Sequence, residues 1–201
     1  MKPPYPPDFT ELRQNKIVRQ PIYNASVYYK NNRTEFDALL RKYKKKIETG
    51  ISAATEVRPS PVHGYGLFAA EELKEGDWIG QYTGEQRWAL PFSRHTDYAW
   101  SIPAPTLPRL EINARRCGNE LRFANHSFDP NAVADHLLYK EHWIIIFYAA
   151  RTIRRNEEIF IDYGEAYWST PRRELHVSPE LFEVLKKTPA TLTPTEEYKK
   201  L

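Results

Sequence analysis

Apolar positions recur at spacings of three and four over residues 34–48, where Phe36, Leu39, Leu40, Tyr43 and Ile47 share one face of an amphipathic helix. Thr34 is placed to cap its start and Gly50 to stop it. From about residue 57 the pattern changes to short apolar runs separated by turn residues. Trp78–Tyr82, Tyr98–Ile102, Trp143–Tyr148 and Ile159–Tyr163 are rich in aromatic and β-branched residues and too short for helices, which predicts strands. No helical pattern of about ten residues or more separates these runs, which argues against βαβ units and a parallel sheet. A second helix is expected near the end, where Ser178 caps, Pro179 takes the first turn, and Leu181, Phe182 and Leu185 share a face. The first thirty residues, with prolines at 3, 4, 6, 7 and 21, read as an extended arm without regular structure. The expected class is therefore β-rich α+β, with small sheets flanked by helices.

Charge sharpens this division. The 201 residues carry a net +3, but residues 1–50 hold +6 and the remainder −3. Much of the basic excess sits at Arg41-Lys42-Tyr43-Lys44-Lys45-Lys46, which the helical periodicity explains as a solvated face without invoking a nucleic-acid ligand. One cysteine, Cys117, excludes an internal disulfide and any Cys-rich zinc site. No run reaches the ~18 apolar residues of a membrane span and the N-terminus lacks signal-peptide character, so a soluble intracellular protein is expected. On that expectation, the glycosylation patterns at Asn24, Asn32 and Asn125 are chance matches.

Several motifs suggest chemistry that their context rejects. Gly64-Tyr65-Gly66-Leu67-Phe68-Ala69 matches a dinucleotide fingerprint, but Pro59-Ser60-Pro61 precedes it where a buried strand is required, and the turn at Gly76-Asp77 comes too soon for the following helix. Its two glycines nevertheless let the backbone approach a ligand closely. Arg122-Phe123-Ala124-Asn125-His126-Ser127-Phe128-Asp129-Pro130-Asn131 offers His, Ser and Asp as neighbours in one loop, whereas a catalytic triad converges from separate places in a fold. The six histidines include no i, i+4 pair and no H-E-x-x-H arrangement, so no metal site is expected. Cys117 is more readily a small core residue than a nucleophile.

The ordered set Gly64-Tyr-Gly-Leu-Phe-Ala, Tyr82-Thr-Gly-Glu, Gly118-Asn-Glu-Leu-Arg-Phe-Ala-Asn-His-Ser, Asp129-Pro-Asn and Glu158-Ile-Phe-Ile-Asp-Tyr-Gly resembles the SET domain of protein lysine methyltransferases. The resemblance implies small twisted sheets with a C-terminal pseudoknot, in which the D-Y-G segment threads beside N-H-S. It implies S-adenosyl-L-methionine as methyl donor and a lysine of a basic protein tail, such as a histone tail, as acceptor. Tyr163 is then the principal catalytic tyrosine and Tyr82 lines the same channel. Gly64, Tyr65 and Gly66 hold the methionine part of the donor, Asn125 and His126 its amino group and adenine, and Arg122 faces its carboxylate. No metal and no membrane partner is implied, direct nucleic-acid binding is disfavoured, and a nuclear, chromatin-associated location follows if the substrate is a histone. The oligomeric state stays open, a homodimer included. A SET-fold interaction module without catalysis is the alternative, and the intact tyrosines favour the enzyme.

Three departures from the family pattern accompany this resemblance. No Cys cluster follows the D-Y-G element to close over the donor, so Glu165 to Leu185 are expected to form the lid, with Trp168 stacking on adenine. Ile161 occupies the position where tyrosine or phenylalanine often correlates with the number of methyl groups transferred. The Cys-rich region before the domain is missing as well, and the basic helix is expected in its place. The chain is thus divided into an arm and basic helix (1–56), a SET catalytic domain (57–168), and a C-terminal lid helix and tail (169–201), without pre-SET or post-SET zinc regions.

Overall fold

The computed structural model describes residues 4–13, 15–17, 27–89, 97–102, 109–140, 142–164 and 167. Along the chain they form β1 (Thr10–Glu11), β2 (Lys16–Ile17), α1 (Val27–Asn31), α2 (Arg33–Thr49), β3 (Thr55–Pro59), β4 (Tyr65–Ala69), β5 (Trp78–Tyr82) and β6 (Glu85–Ala89). There follow β7 (Ala99–Ser101), β8 (Arg109–Asn113), β9 (Cys117–Gly118), a 3-10 turn (Glu120–Phe123), β10 (Asn125–His126), β11 (Ala132–Tyr139), β12 (His142–Ala149) and β13 (Phe160–Ile161). The fold is β-rich α+β, as expected, with sheets ordered β11-β12-β5, β2-β6-β8-β7, β3-β4, β1-β9 and β10-β13.

The apolar run at 143–148 occupies the middle strand of the first sheet. Strand β12 pairs antiparallel with β11 from Ala132↔Ala149 to Tyr139↔His142, and on its other edge with β5. Trp143, Ile145, Ile146 and Phe147 are fully buried, because a central strand covered on both faces has no side available to polar residues. Helix α2 covers one face through Phe36, Tyr43 and Ile47. Phe36 meets Trp143 edge-on at 5.7 Å, Tyr43 packs on Trp78 and Tyr148, and the Tyr43 hydroxyl donates to the Gly76 carbonyl at 2.7 Å. Burying each such side chain stabilises the docked helix by roughly 1.5–3 kcal/mol. Arg41, Lys42, Lys44, Lys45 and Lys46 are exposed, as the solvated-face reading requires.

Local details depart from the sequence expectation. Gly50 does end α2, in the left-handed region with φ 63° and its N–H donating to the Lys46 carbonyl. The N-cap, however, is Asn32 and not Thr34, and it makes no side-chain cap bond. Helix α1 leads almost directly into α2, so the chain arrives already helical and Thr34 lies inside the first turn. The arm is also more structured than its prolines suggest. Strand β1 pairs with β9, and β2 with β6. These pairs, like β10 with β13, are two-residue parallel ladders, which the expectation against βαβ units and a parallel sheet did not address. The expectation rested on helical crossovers, whereas two-residue parallel ladders between distant segments need none. The expected C-terminal helix and tail lie outside the described residues.

The segment 157–161 lies between two neighbours. On one side the Ala69 N–H donates to the Glu157 carbonyl and the Ile159 N–H to that of Leu67. On the other, β13 runs beside β10, and the Phe160 N–H donates to Asn131 Oδ1 at 2.8 Å. This placement brings the G-x-G, N-H-S and D-Y-G motifs together.

Candidate functional site

Asn125 ties the first two motifs. Its side-chain amide donates to the carbonyls of His63 and Tyr65, each at 3.2 Å, and to Glu158 Oε1 at 2.8 Å. Glu158 also accepts from the Ser60 hydroxyl at 3.0 Å, and its burial raises its pKa against the opposing effect of these two bonds. A Cβ at Gly66 would fall on the Glu158 carboxyl group, so only glycine lets the loop close onto this support. Gly64 has φ 51° and open space where a side chain would stand. Tyr65 is exposed beside it. The result is a backbone loop tied down through the carbonyls of His63 and Tyr65, with open space beside Gly64.

The second group is built on the D-Y-G segment. The Tyr163 hydroxyl donates to the Ala124 carbonyl at 2.9 Å, and its backbone N–H donates to His126 Nδ1 at 3.1 Å. The two rings lie 5.4 Å apart, and Tyr167 packs edge-on against Tyr163 at 4.6 Å. Burial pushes the His126 pKa down to about 3. The ring is therefore neutral, and Asp162 at 3.6 Å is no ion-pair partner despite its proximity. A neutral Nδ1 free of a proton is also what acceptance from the Tyr163 N–H requires.

Tyr82 ends β5 with its ring buried. Its hydroxyl donates to the Tyr98 carbonyl at 2.8 Å, and its ring packs with Phe147 at 5.9 Å and edge-on with Trp100 at 6.1 Å. Burial raises its pKa far above the ordinary tyrosine value, so the hydroxyl keeps its proton. Asn119 brackets the residue on both sides: its Nδ2 donates to the Gln81 carbonyl at 2.7 Å, and its Oδ1 accepts from the Thr83 N–H at 3.4 Å.

Arg122 is buried three residues before Asn125, but its partners are not groups of the Gly64–Gly66 loop. Its Nη1 donates to the Arg115 carbonyl at 3.2 Å, and its guanidinium faces the Tyr98 ring at 3.9 Å and the Phe9 ring at 4.8 Å. Trp168 lies outside the described residues, as does most of the expected lid. No cluster of metal-ligating side chains occurs among the described residues, and Cys117 forms no disulfide and is buried in β9.

The structure thus brings Gly64, Tyr65, Gly66, Asn125 and His126 into one connected set, joins Tyr163 to it directly, and ties Tyr82 to the adjoining turn through Asn119. Sequence reasoning assigned no role to Asn119, Trp100 or Glu158. Asn119 stands within the Gly118 to Ser127 element, and Trp100 within the aromatic run 98–102 read only as a strand. No sequence signal indicated that Glu158 would underlie Gly66, because 92 positions separate them.

Histone-lysine N-methyltransferase MEDEA of Arabidopsis thaliana is 35% identical over 125 residues, covering 56% of this chain and 18% of its own length. Histone-lysine N-methyltransferase SETD1 of Drosophila melanogaster is 36% identical over 110 residues, covering 52% of this chain and 7% of its own. The chain therefore spans less than a fifth of either relative. Among solved structures, ATXR5 in complex with a mono-methylated histone H3.1 superposes with a TM-score of 0.63 over 79% of this chain and 82% of its own, at 15% identity, a likeness of fold alone. An apo ctPRC2 in an autoinhibited state gives a TM-score of 0.52 at 27% identity, over 65% of this chain and 18% of its own. The SET domain family model matches residues 64–164, half of the chain and every motif of the site, and the protein belongs to the SET-domain family.

Proposed function

We propose that this chain is an S-adenosylmethionine-dependent protein-lysine N-methyltransferase acting on a lysine of a basic protein tail, with histone tails as the first candidates. The observation that carries the reading is that one segment, Asn119 to His126, supports both tyrosines and the glycine loop. Asn119 brackets Tyr82, Ala124 receives the Tyr163 hydroxyl, and Asn125 anchors the carbonyls of His63 and Tyr65.

The residues present suit the donor. A zwitterionic methionine part calls for backbone carbonyls to receive an ammonium group, and the loop around Gly64 offers them beside open space. Tyr65, Asn125, the neutral His126 and, beyond the described residues, Trp168 complete the set assigned to it. When bound, S-adenosylmethionine supplies a methyl group made electrophilic by its sulfonium.

The protein's own task is to deliver a neutral, oriented amine. Free lysine has a pKa of about 10.4, and a water-poor aromatic wall disfavours its ammonium form. Tyr82, Trp100 and Phe147 provide such a wall. Both tyrosine hydroxyls donate their protons to backbone carbonyls, so each presents oxygen lone pairs to the amine N–H groups. Tyr82 is no general base in its resting form, since it is already protonated. The hydroxyls hold the nitrogen by its hydrogens and leave its own lone pair directed at the methyl carbon, which is catalysis by positioning.

Incubation with radiolabelled donor and a histone mixture, followed by mass spectrometry, tests the proposal and reads the target lysine and methylation number together. Transfer that vanishes in Tyr163→Phe is expected. Absence of Tyr163-dependent transfer to any lysine would refute it.

A further inference from the structure

Tyr98 holds an unusual backbone conformation for a residue with a side chain, with φ 61°. Its carbonyl receives the Tyr82 hydroxyl at 2.8 Å and the Ala114 N–H at 2.8 Å. Its ring is 41% exposed, so core packing does not fix it. What it does meet is Arg122, whose guanidinium lies 3.9 Å from the ring centroid. The same guanidinium faces Phe9 at 4.8 Å and Phe123 at 5.4 Å. Phe9 in turn stacks on Tyr5 at 4.1 Å with ring planes 5° apart, and Tyr5 leans on Phe123 at 5.4 Å. The segment carrying Tyr5 and Phe9 is anchored by β1 against β9 and by the Thr83 hydroxyl, which donates to the Leu12 carbonyl at 2.9 Å.

We propose that Arg122 is a positioning residue that acts through Tyr98: clamped between the Tyr98 ring and the Tyr5–Phe9 stack, it holds the Tyr98 carbonyl where the Tyr82 hydroxyl needs it. A planar cation stacks on aromatic faces in a way that an ammonium does not. Arg122 also carries its charge close enough to oppose the rise in the Tyr82 pKa. Its buried Nε has no hydrogen-bond partner among the described residues, consistent with a guanidinium seated by ring faces more than by acceptors. The N-terminal segment thereby becomes part of the active site without touching the substrate. The inference rests on the assignment of Tyr82 to the methyl-transfer site.

The experiment combines Arg122→Lys, Tyr98→Gly and the double variant in the full chain, with three readouts: kcat for methyl transfer, donor affinity by calorimetry, and hydrogen exchange at the Ala114 amide. Arg122→Lys should lower kcat about tenfold, the effect of losing one desolvated cation–π contact. It should leave donor affinity within about twofold, and raise Ala114 exchange about tenfold as its acceptor carbonyl loosens. Glycine adopts φ 61° without strain and keeps the carbonyl while removing the ring. In the Tyr98→Gly background, Arg122→Lys should therefore add nothing to either effect. A full tenfold loss that persists without the Tyr98 ring overturns the proposal. So does a fall in donor affinity parallel to kcat, which would place Arg122 on the donor carboxylate. The exchange readout is independent of turnover. If wild-type protein transfers no methyl group, the functional assignment fails while Ala114 exchange still decides whether the clamp exists. Phe9→Ala, which removes part of the Tyr5–Phe9 side of the clamp while leaving Arg122 and Tyr98 intact, should reproduce the faster Ala114 exchange, and unchanged exchange there would also count against the clamp.

Discussion

The Tyr163 hydroxyl donates to the Ala124 carbonyl at 2.9 Å across 39 positions of sequence. This bond fixes the ring of the D-Y-G tyrosine against the segment that also anchors the glycine loop. It also engages the hydroxyl proton.

Tyr163→Phe removes only that oxygen. Turnover should fall roughly 100-fold or more, a typical loss for one positioned group, while donor affinity stays nearly constant. Single-turnover kinetics and calorimetry measure the two separately. Equal losses in both would mean that Tyr163 belongs to the donor pocket.

Gly66→Ala should act in the opposite way. The new methyl group meets the Glu158 carboxyl group, which Asn125 and Ser60 hold in place, so the loop must shift. Donor affinity should drop at least about tenfold, a distortion comparable to overpacking a core site. Calorimetry showing wild-type affinity would dissociate this loop from donor binding.

Asn119→Ala removes both bonds that bracket Tyr82. A stability loss of about 1–2 kcal/mol is expected from unfolding curves, together with a lower kcat as the end of β5 loosens. Unaltered kcat in a folded variant would show that β5 alone positions Tyr82.

Two histidines, the buried His126 and the half-buried His136, make stability depend on acid. Burial lowers the pKa of His126 from 6.5 to about 3, and lowers that of His136 as well. Below pH 6.5 the unfolded chain therefore binds protons that the folded protein refuses. Stability is complete above that value and declines as the pH falls towards 3, with a slope approaching about 1.4 kcal/mol per pH unit from His126, and His136 acts in the same direction. Glu158, with its raised pKa, offsets part of this decline near its own titration. Urea midpoints at pH 7 and pH 5 check the sign, and an imidazole signal of His126 titrating near 6.5 in the folded protein would contradict it.

The two faces of α2 should respond differently to mutation. Phe36→Ala deletes a ring packed on Trp143 and should cost about 3–4 kcal/mol. Lys44→Ala or Lys45→Ala, on the exposed face, should change stability by less than about 0.5 kcal/mol. Thermal or chemical denaturation distinguishes these outcomes.

Much of the site was legible in the amino-acid order. Tyr82, Asn125, His126, Tyr163 and the Gly64–Gly66 loop are recognisable because their chemistry is carried by short contiguous motifs. The strand at 78–82 and the helix at 34–48 follow from local periodicity, and the structure contains the strand at those bounds and the helix extended by one residue at each end. Glu158 and Asn119 escaped assignment because each acts on a partner far away in sequence. The same is true of the N-terminal arm, whose β1 and β2 exist only through their pairing with Cys117–Gly118 and Glu85–Gln86.

Sequence alone determined the fold class, the absence of any internal disulfide from a chain with one cysteine, and the identity of the motif residues, since these depend on composition and neighbouring positions. Tertiary structure decided how those residues act. It turned Asn125 towards the loop carbonyls, gave both tyrosine hydroxyls carbonyl acceptors, kept His126 neutral by burial, and enclosed Arg122 among Tyr98, Phe9 and Phe123. Hydrogen-bond direction, burial and ring stacking depend on which distant segments meet, and local pattern carries no record of that choice.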